Sequence, residues 1–203
     1  MSALPDTRSE TDLPIGLTIE AFFDWAAQRQ ERYELVDGRP LMLPWVKRSH
    51  SRLSANIAFL FEKSADRSRS FVHQGDFAIP TGPRSIRYAD VLVEPAGGDM
   101  QARTAEDAVV IVEVLSDSTA PQDFGPKRLE YLRLASLRCY LIVDPDKSCI
   151  WQWQRGGEDA WPEDPTIVRS GAVEVAALGW RLPLAAIYDG VLDLPPAPEG
   201  GPS

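Results

Sequence analysis

Residues 108–116 read Ala-Val-Val-Ile-Val-Glu-Val-Leu-Ser, a nearly unbroken β-branched run with one carboxylate inside it. Such a run favours a strand buried on both faces, and hence a sheet covered on either side. Shortly before it, Ile86-Arg-Tyr-Ala-Asp-Val-Leu-Val-Glu94 predicts a second strand, with Asp90 set among apolar neighbours. A charge in an apolar strand costs roughly several kcal/mol unless it is paired, hydrogen-bonded or bound to metal. Two strands this close in sequence can lie side by side and turn Asp90 and Glu113 to one face. That is the separation a hard divalent cation prefers. Ordinary pairing, of Asp90 with Arg87 or a turn backbone and of Glu113 with Arg128 or Arg133, accounts for the same residues, and spacing alone does not separate the two readings.

The rest of the pattern surrounds these strands with helices and hairpins. Thr18 is placed to cap a helix running to about Gln30, with Ile19, Phe22, Phe23 and Ala26 on one side. Tyr33 to Leu43 predicts a hairpin, because Asp37-Gly38 supplies the positive φ angles of a tight turn. A second helix is expected from Ser49 to about Asp66, then a strand from Phe71 to Ile79 broken by Thr81-Gly-Pro-Arg. A third helix is expected from about Phe124 to Ala135, capped by Asp123, with Lys127, Tyr131 and Leu134 on one face. Packed back on the sheet, that face brings Lys127 toward the strand acids, where a cation stabilises charge developing on a phosphate. A surface pair of Lys127 with Glu130 is the plainer alternative. Cys139 to Val143 and Cys149 to Gln154 predict a further hairpin, turning at Asp144-Pro-Asp-Lys. Helices around a mainly antiparallel or mixed sheet indicate an α/β or α+β fold. Residues 1–14 and 193–203 are expected as tails, and 15–192 as one domain.

The ordered motifs resemble a known family. Tyr33-Glu-Leu-Val-Asp-Gly38, His50 at a helix start, Ala89-Asp-Val, Val112-Glu-Val-Leu-Ser116, Lys127 to Tyr131 and Tyr140-Leu-Ile-Val-Asp-Pro145 follow one another as in the Uma-two family, a branch of the PD-(D/E)xK nuclease superfamily. The similarity covers roughly residues 17 to 190. It implies a restriction-endonuclease-like core, a mixed sheet flanked by helices with additional hairpins, and hydrolysis of DNA phosphodiesters with Mg²⁺ or Mn²⁺. By that resemblance Asp90 is the superfamily aspartate and Glu113 the second acid. Glu34 is an N-terminal glutamate that completes the metal site. Two positions depart from the pattern. Ala89 stands where the proline is expected, and Leu115 where the lysine is expected, so that Lys127 takes the lysine's role by analogy.

Charge bears on the partner. The 203 residues carry a net charge of -9, which argues against a wholly basic nucleic-acid coat. Residues 44–87 nevertheless hold eight Lys or Arg against three acids. A solvated helix face explains such a run, and so does a nucleic-acid contact in which Arg48, Arg52 and Lys63 guide the backbone and His50 meets a phosphate. A binding module without turnover on the same scaffold is the competing function, favoured by Leu115 and the acidic net charge. A serine hydrolase built on Ser116 is disfavoured, because no nucleophile elbow surrounds it and only two His exist to serve as base. Two cysteines make no disulfide framework, and no apolar run approaches the ~20 residues that cross a bilayer. A cytoplasmic protein is expected. Homodimerisation through Trp151 and Trp153 is one reading of the second hairpin; inward-facing core positions are the other.

Overall fold

The computed structural model describes residues 13–116 and 120–194. Most of both expected tails therefore lies outside the described residues. In chain order the helices are α1 (Ile19–Ala26), α2 (Arg48–Ser64), α3 (Ala120–Phe124), α4 (Pro126–Tyr131) and α5 (Leu184–Ile187). The strands are β1 (Tyr33–Val36), β2 (Arg39–Met42), β3 (Ser70–Gln74), β4 (Ala78–Gly82), β5 (Ser85–Tyr88), β6 (Val91–Pro95), β7 (Val110–Val114), β8 (Cys139–Val143), β9 (Ile150–Gln154), β10 (Thr166–Val168), β11 (Ala172–Val175) and β12 (Trp180–Pro183). They form a six-stranded sheet in the order β10-β9-β8-β7-β6-β3, a four-stranded sheet β2-β1-β5-β4, and the ribbon β11-β12. Only β7 and β8 run parallel in the large sheet, which is therefore mixed.

Period-two alternation sorts the large sheet's side chains onto two faces. Val110, Val112 and Val114 pack with Val91 and Val93 against Leu53, Ile57 and Phe61 of α2. The opposite face carries Leu92, Ile111, Tyr140 and Ile142, covered by Tyr131 of α4 and by Phe124. All five residues of β7 are buried, as its composition predicts for a strand covered on both sides. Trp153 is buried beside Tyr140, and Trp151 packs edge-on against Phe124 at 4.9 Å. The tryptophans of this hairpin thus serve the core. Phe22 of α1 fills the smaller sheet's core with Leu35, Ala78 and Ile86.

Three elements differ from their sequence expectation, each for an identifiable reason. The strands expected at 71–79 and 86–94 are both divided. Chain segments β3–β4 and β5–β6 each pass from one sheet to the other at a common joint, where Gly75 (φ 79°) donates its N–H to the Asp90 carbonyl at 3.1 Å. Asp90 lies at this joint rather than inside a strand. The helix expected from Phe124 is two short helices, since Pro126 at the start of α4 disfavours a helical residue before it. A Cβ on Gly125 would also stand 2.6 Å from the Pro121 carbonyl oxygen. Asp123 accordingly sits inside α3, buried, and does not cap a helix.

Candidate active site: carboxylates around a buried lysine

The joint between the sheets determines what meets there. The register Val91↔Val112 and Leu92↔Ile111 runs on, one step past the last pair, to set Asp90 across from Glu113. Asp90 Oδ2 accepts from the Val114 N–H at 2.7 Å and lies 3.2 Å from His50 Nε2. His50, buried in the first turn of α2, therefore reaches Asp90 rather than standing out as a phosphate contact.

α4 supplies the cation. Lys127, Glu130 and Tyr131 fall at i, i+3 and i+4 and so share one face. Lys127 Nζ lies 2.8 Å from Glu113 Oε1, 3.1 Å from Glu34 Oε1 and 3.1 Å from the Tyr88 carbonyl. Its three N–H donors thus have three acceptors. The surface pair with Glu130 is not formed. Instead Glu130 takes Arg87 Nε and Nη2 at 2.8 and 2.6 Å, plus the Thr81 hydroxyl at 2.8 Å. Arg87 is 1% exposed and gives its remaining Nη1 to Glu34 Oε2 at 2.8 Å. Glu34 Oε1 also accepts from the Tyr88 N–H. Both of its oxygens are engaged, Oε1 by Lys127 and the Tyr88 amide and Oε2 by Arg87.

Electrostatics divide the acids. Burial opposes ionisation of Glu34, but Lys127, Arg87 and the Tyr88 amide outweigh it and hold its carboxyl below the usual range. Burial pushes the Glu113 carboxyl well above that range; Lys127 offsets this in part, while Asp123 and Asp90 add to it. Burial also disfavours charge on Lys127, yet Glu113, Glu34 and Asp123 keep its ammonium charged. Tyr131, buried and beside Glu113, stays a neutral phenol and donates to Glu113 Oε1 at 3.0 Å.

Five of the predicted residues therefore converge (Asp90, Glu113, Lys127, His50 and Glu34), and two more join them. Asp90, Glu113, Lys127, His50 and Asp123 line a small cleft of about 60 Å³, with Arg32, Leu43 and Val46 at its edge. Glu34 backs Lys127 from behind. Arg87 and buried Asp123 were not anticipated in these roles. The rule that singled out Asp90, a charge set in an apolar strand, applies equally to Arg87 between Ile86 and Tyr88. Arg48 and Arg52 are exposed on α2, whereas Lys63 in its last turn is about 20 Å along the axis from His50. Among the described residues no three His, Cys, Asp or Glu groups already stand in metal-binding geometry.

A mixed sheet joined to a smaller one, with acids and a lysine at the seam, defines a restriction-endonuclease-like α/β protein. The Uma2 family, described as "Putative restriction endonuclease", matches residues 19–185, and the chain belongs to that family. It is similar to two proteins of Synechocystis sp., uncharacterized protein slr1290 (24% identity, 86% of this chain and 93% of that protein) and uncharacterized protein sll1609 (25% identity, 71% and 84%). Its fold matches the crystal structure of a putative nuclease belonging to DUF820 from Anabaena variabilis. The TM-score is 0.70 at 12% identity, over 87% of this chain and all of that one. Among the described residues no helix is long and apolar enough to cross a membrane.

Proposed function

We propose that the protein is a metal-dependent endonuclease that hydrolyses DNA phosphodiesters, with Asp90 and Glu113 holding Mg²⁺ or Mn²⁺ and Lys127 serving the reacting phosphate. The observation that carries this reading is the buried contact of Lys127 with Glu113, across the joint from Asp90. The donor set fits a hard cation. Burial raises the Glu113 pKa, Lys127 offsets this in part, and Asp123 and Asp90 add negative charge to that side of the balance. A divalent ion at Asp90 and Glu113 would restore the balance, polarise the phosphate and acidify a water.

The chain's own residues do the rest. The Val114 amide and His50 hold Asp90 Oδ2 in the wall of the cleft, where the carboxylate would serve as a ligand. Lys127, kept charged by Glu34, exchanges one of its three acceptors for a phosphate oxygen as negative charge grows there. Arg87 and Glu130 tie α4 to β5, so that this exchange occurs without displacement of the helix. Leu115, apolar where the superfamily pattern has lysine, makes turnover depend on Lys127 alone. That same feature favours a second reading, a nuclease-fold module that binds nucleic acid without cutting it.

Plasmid DNA incubated with purified protein and Mg²⁺ or Mn²⁺ tests the proposal. Nicking or linearisation is expected, falling to background in Asp90→Ala and Glu113→Ala. Equal cleavage by those variants would expose a contaminant and overturn it. Binding without cleavage in either metal would leave the second reading standing.

A further inference from the structure

The loop leading from β2 into α2 has a composition and an exposure that the catalytic groups do not use. Trp45 is 93% exposed, flanked by Met42 at 52% and Val46 at 50%. An indole buries 150–250 Å² in a typical core or interface, so a bare one beside further apolar side chains marks a contact surface. Its neighbours Leu43, Pro44 and Val46 line the cleft that holds Asp90, Glu113 and Lys127. Trp45 therefore stands on the rim of the candidate site.

Charge says what meets it there. Residues 38–61, a run of 24, contain no Asp or Glu, although the chain carries 30 acids and a net charge of -9. Within that run Arg39, Lys47, Arg48 and Arg52 are exposed. The first turn of α2 has no acidic residue. An exposed aromatic ring inside a purely basic segment, at the mouth of a phosphodiester site, matches a nucleic-acid strand. The ring stacks on a base and the cations follow the backbone. Bases inside a duplex are already stacked on one another, so the ring is served only by a base at an end or out of the helix.

We propose that Trp45 is a stacking platform for an unpaired base next to the cleaved phosphate, so that single strands, overhangs or flaps are bound in preference to blunt duplex. This rests on the nuclease reading of the site. Fluorescence anisotropy of labelled 20-nucleotide single-stranded and blunt duplex DNA, in Ca²⁺, tests it with full-length wild type, Trp45→Ala and Trp45→Phe. Because Trp45 lies in solvent, both variants should unfold at the wild-type temperature.

Trp45→Ala should weaken single-strand binding about tenfold, within the range for one base–aromatic stack, and change duplex binding less than twofold. Trp45→Phe should retain most of the affinity. Unchanged single-strand binding in Trp45→Ala, or an equal loss on both substrates, overturns the inference. So does a wild-type dimer that Trp45→Ala turns into a monomer by sedimentation, since the surface then belongs to a second copy of the chain. Wild type that binds neither substrate refutes the nuclease reading as well, whereas wild type that binds and cleaves with Trp45 dispensable refutes this inference alone.

Discussion

Replacing Arg87 by Met asks how the buried charge network holds the lysine in place. The Arg87 side chain is 2% exposed and spans two carboxylates, Glu34 at 3% and Glu130 at 18%. Removing one partner of a buried pair costs about 3–5 kcal/mol, because the charge left behind loses its compensation in a place water does not reach. Here Glu130 can turn to solvent, and Glu34 keeps Lys127 at 3.1 Å and the Tyr88 amide. Those remaining partners set the expected loss at the lower end, about 3 kcal/mol. For a chain of this size that is roughly a 6–12 °C fall in Tm.

Urea denaturation at neutral pH measures it, with Arg87→Lys as a second variant. Lysine keeps the charge but not the fork, and should recover only part of the loss. Arg87→Met combined with Glu34→Gln should be more stable than additivity predicts, since the stranded carboxylate is gone. A loss below about 1 kcal/mol for Arg87→Met, the range of a surface ion pair, would refute the claim that this network is buried and coupled.

Lys127→Met should lower cleavage by about 10²- to 10³-fold, the range for removing one electrostatic stabiliser, while Mn²⁺ still binds by calorimetry. Loss of both together would mean that Lys127 organises the acids rather than acting on phosphate. The pH dependence of stability should divide Glu113 from Glu34. Glu113's folded-state pKa is raised, so the native chain holds a proton the unfolded chain has already released, and stability falls as pH rises from the ordinary carboxylate value through the folded one. Glu34 is the opposite case; its contribution is present above the ordinary carboxylate value and is lost as pH falls through its lowered one. In metal-free buffer the stability difference between wild type and Glu113→Gln should therefore shift against wild type as pH rises. A pH-independent difference would contradict the assigned burial of Glu113.

Much of this was legible where local chemistry and tertiary structure agree. The Asp37-Gly38 turn forms with both residues at positive φ (48° and 79°), and β7 is buried along its whole length. Lys127 and Tyr131 turn inward together because helical spacing leaves them no other choice once α4 lies on the sheet. What escaped was non-local. Nothing in the alternation of residues 71–79 or 86–94 announces that each strand leaves one sheet for another, since the apolar rhythm continues across the joint. Arg87 pairs not with its sequence neighbour Asp90 but with Glu34, 53 positions away, and Glu130, 43 away, which local spacing does not reveal. The Gly125-Pro126 break was readable in principle. The close approach of Gly125 to the Pro121 carbonyl oxygen, which sharpens that break, is set by the fold rather than by composition.

Anomalous diffraction from a crystal soaked in Mn²⁺ shows whether Asp90 and Glu113 share a metal ion. An ion is expected between the carboxylates of Asp90 and Glu113, with Lys127 Nζ beside it and Glu34 still held by Arg87. An empty Asp90–Glu113 joint at saturating Mn²⁺, or an ion bound only elsewhere, would contradict that expectation.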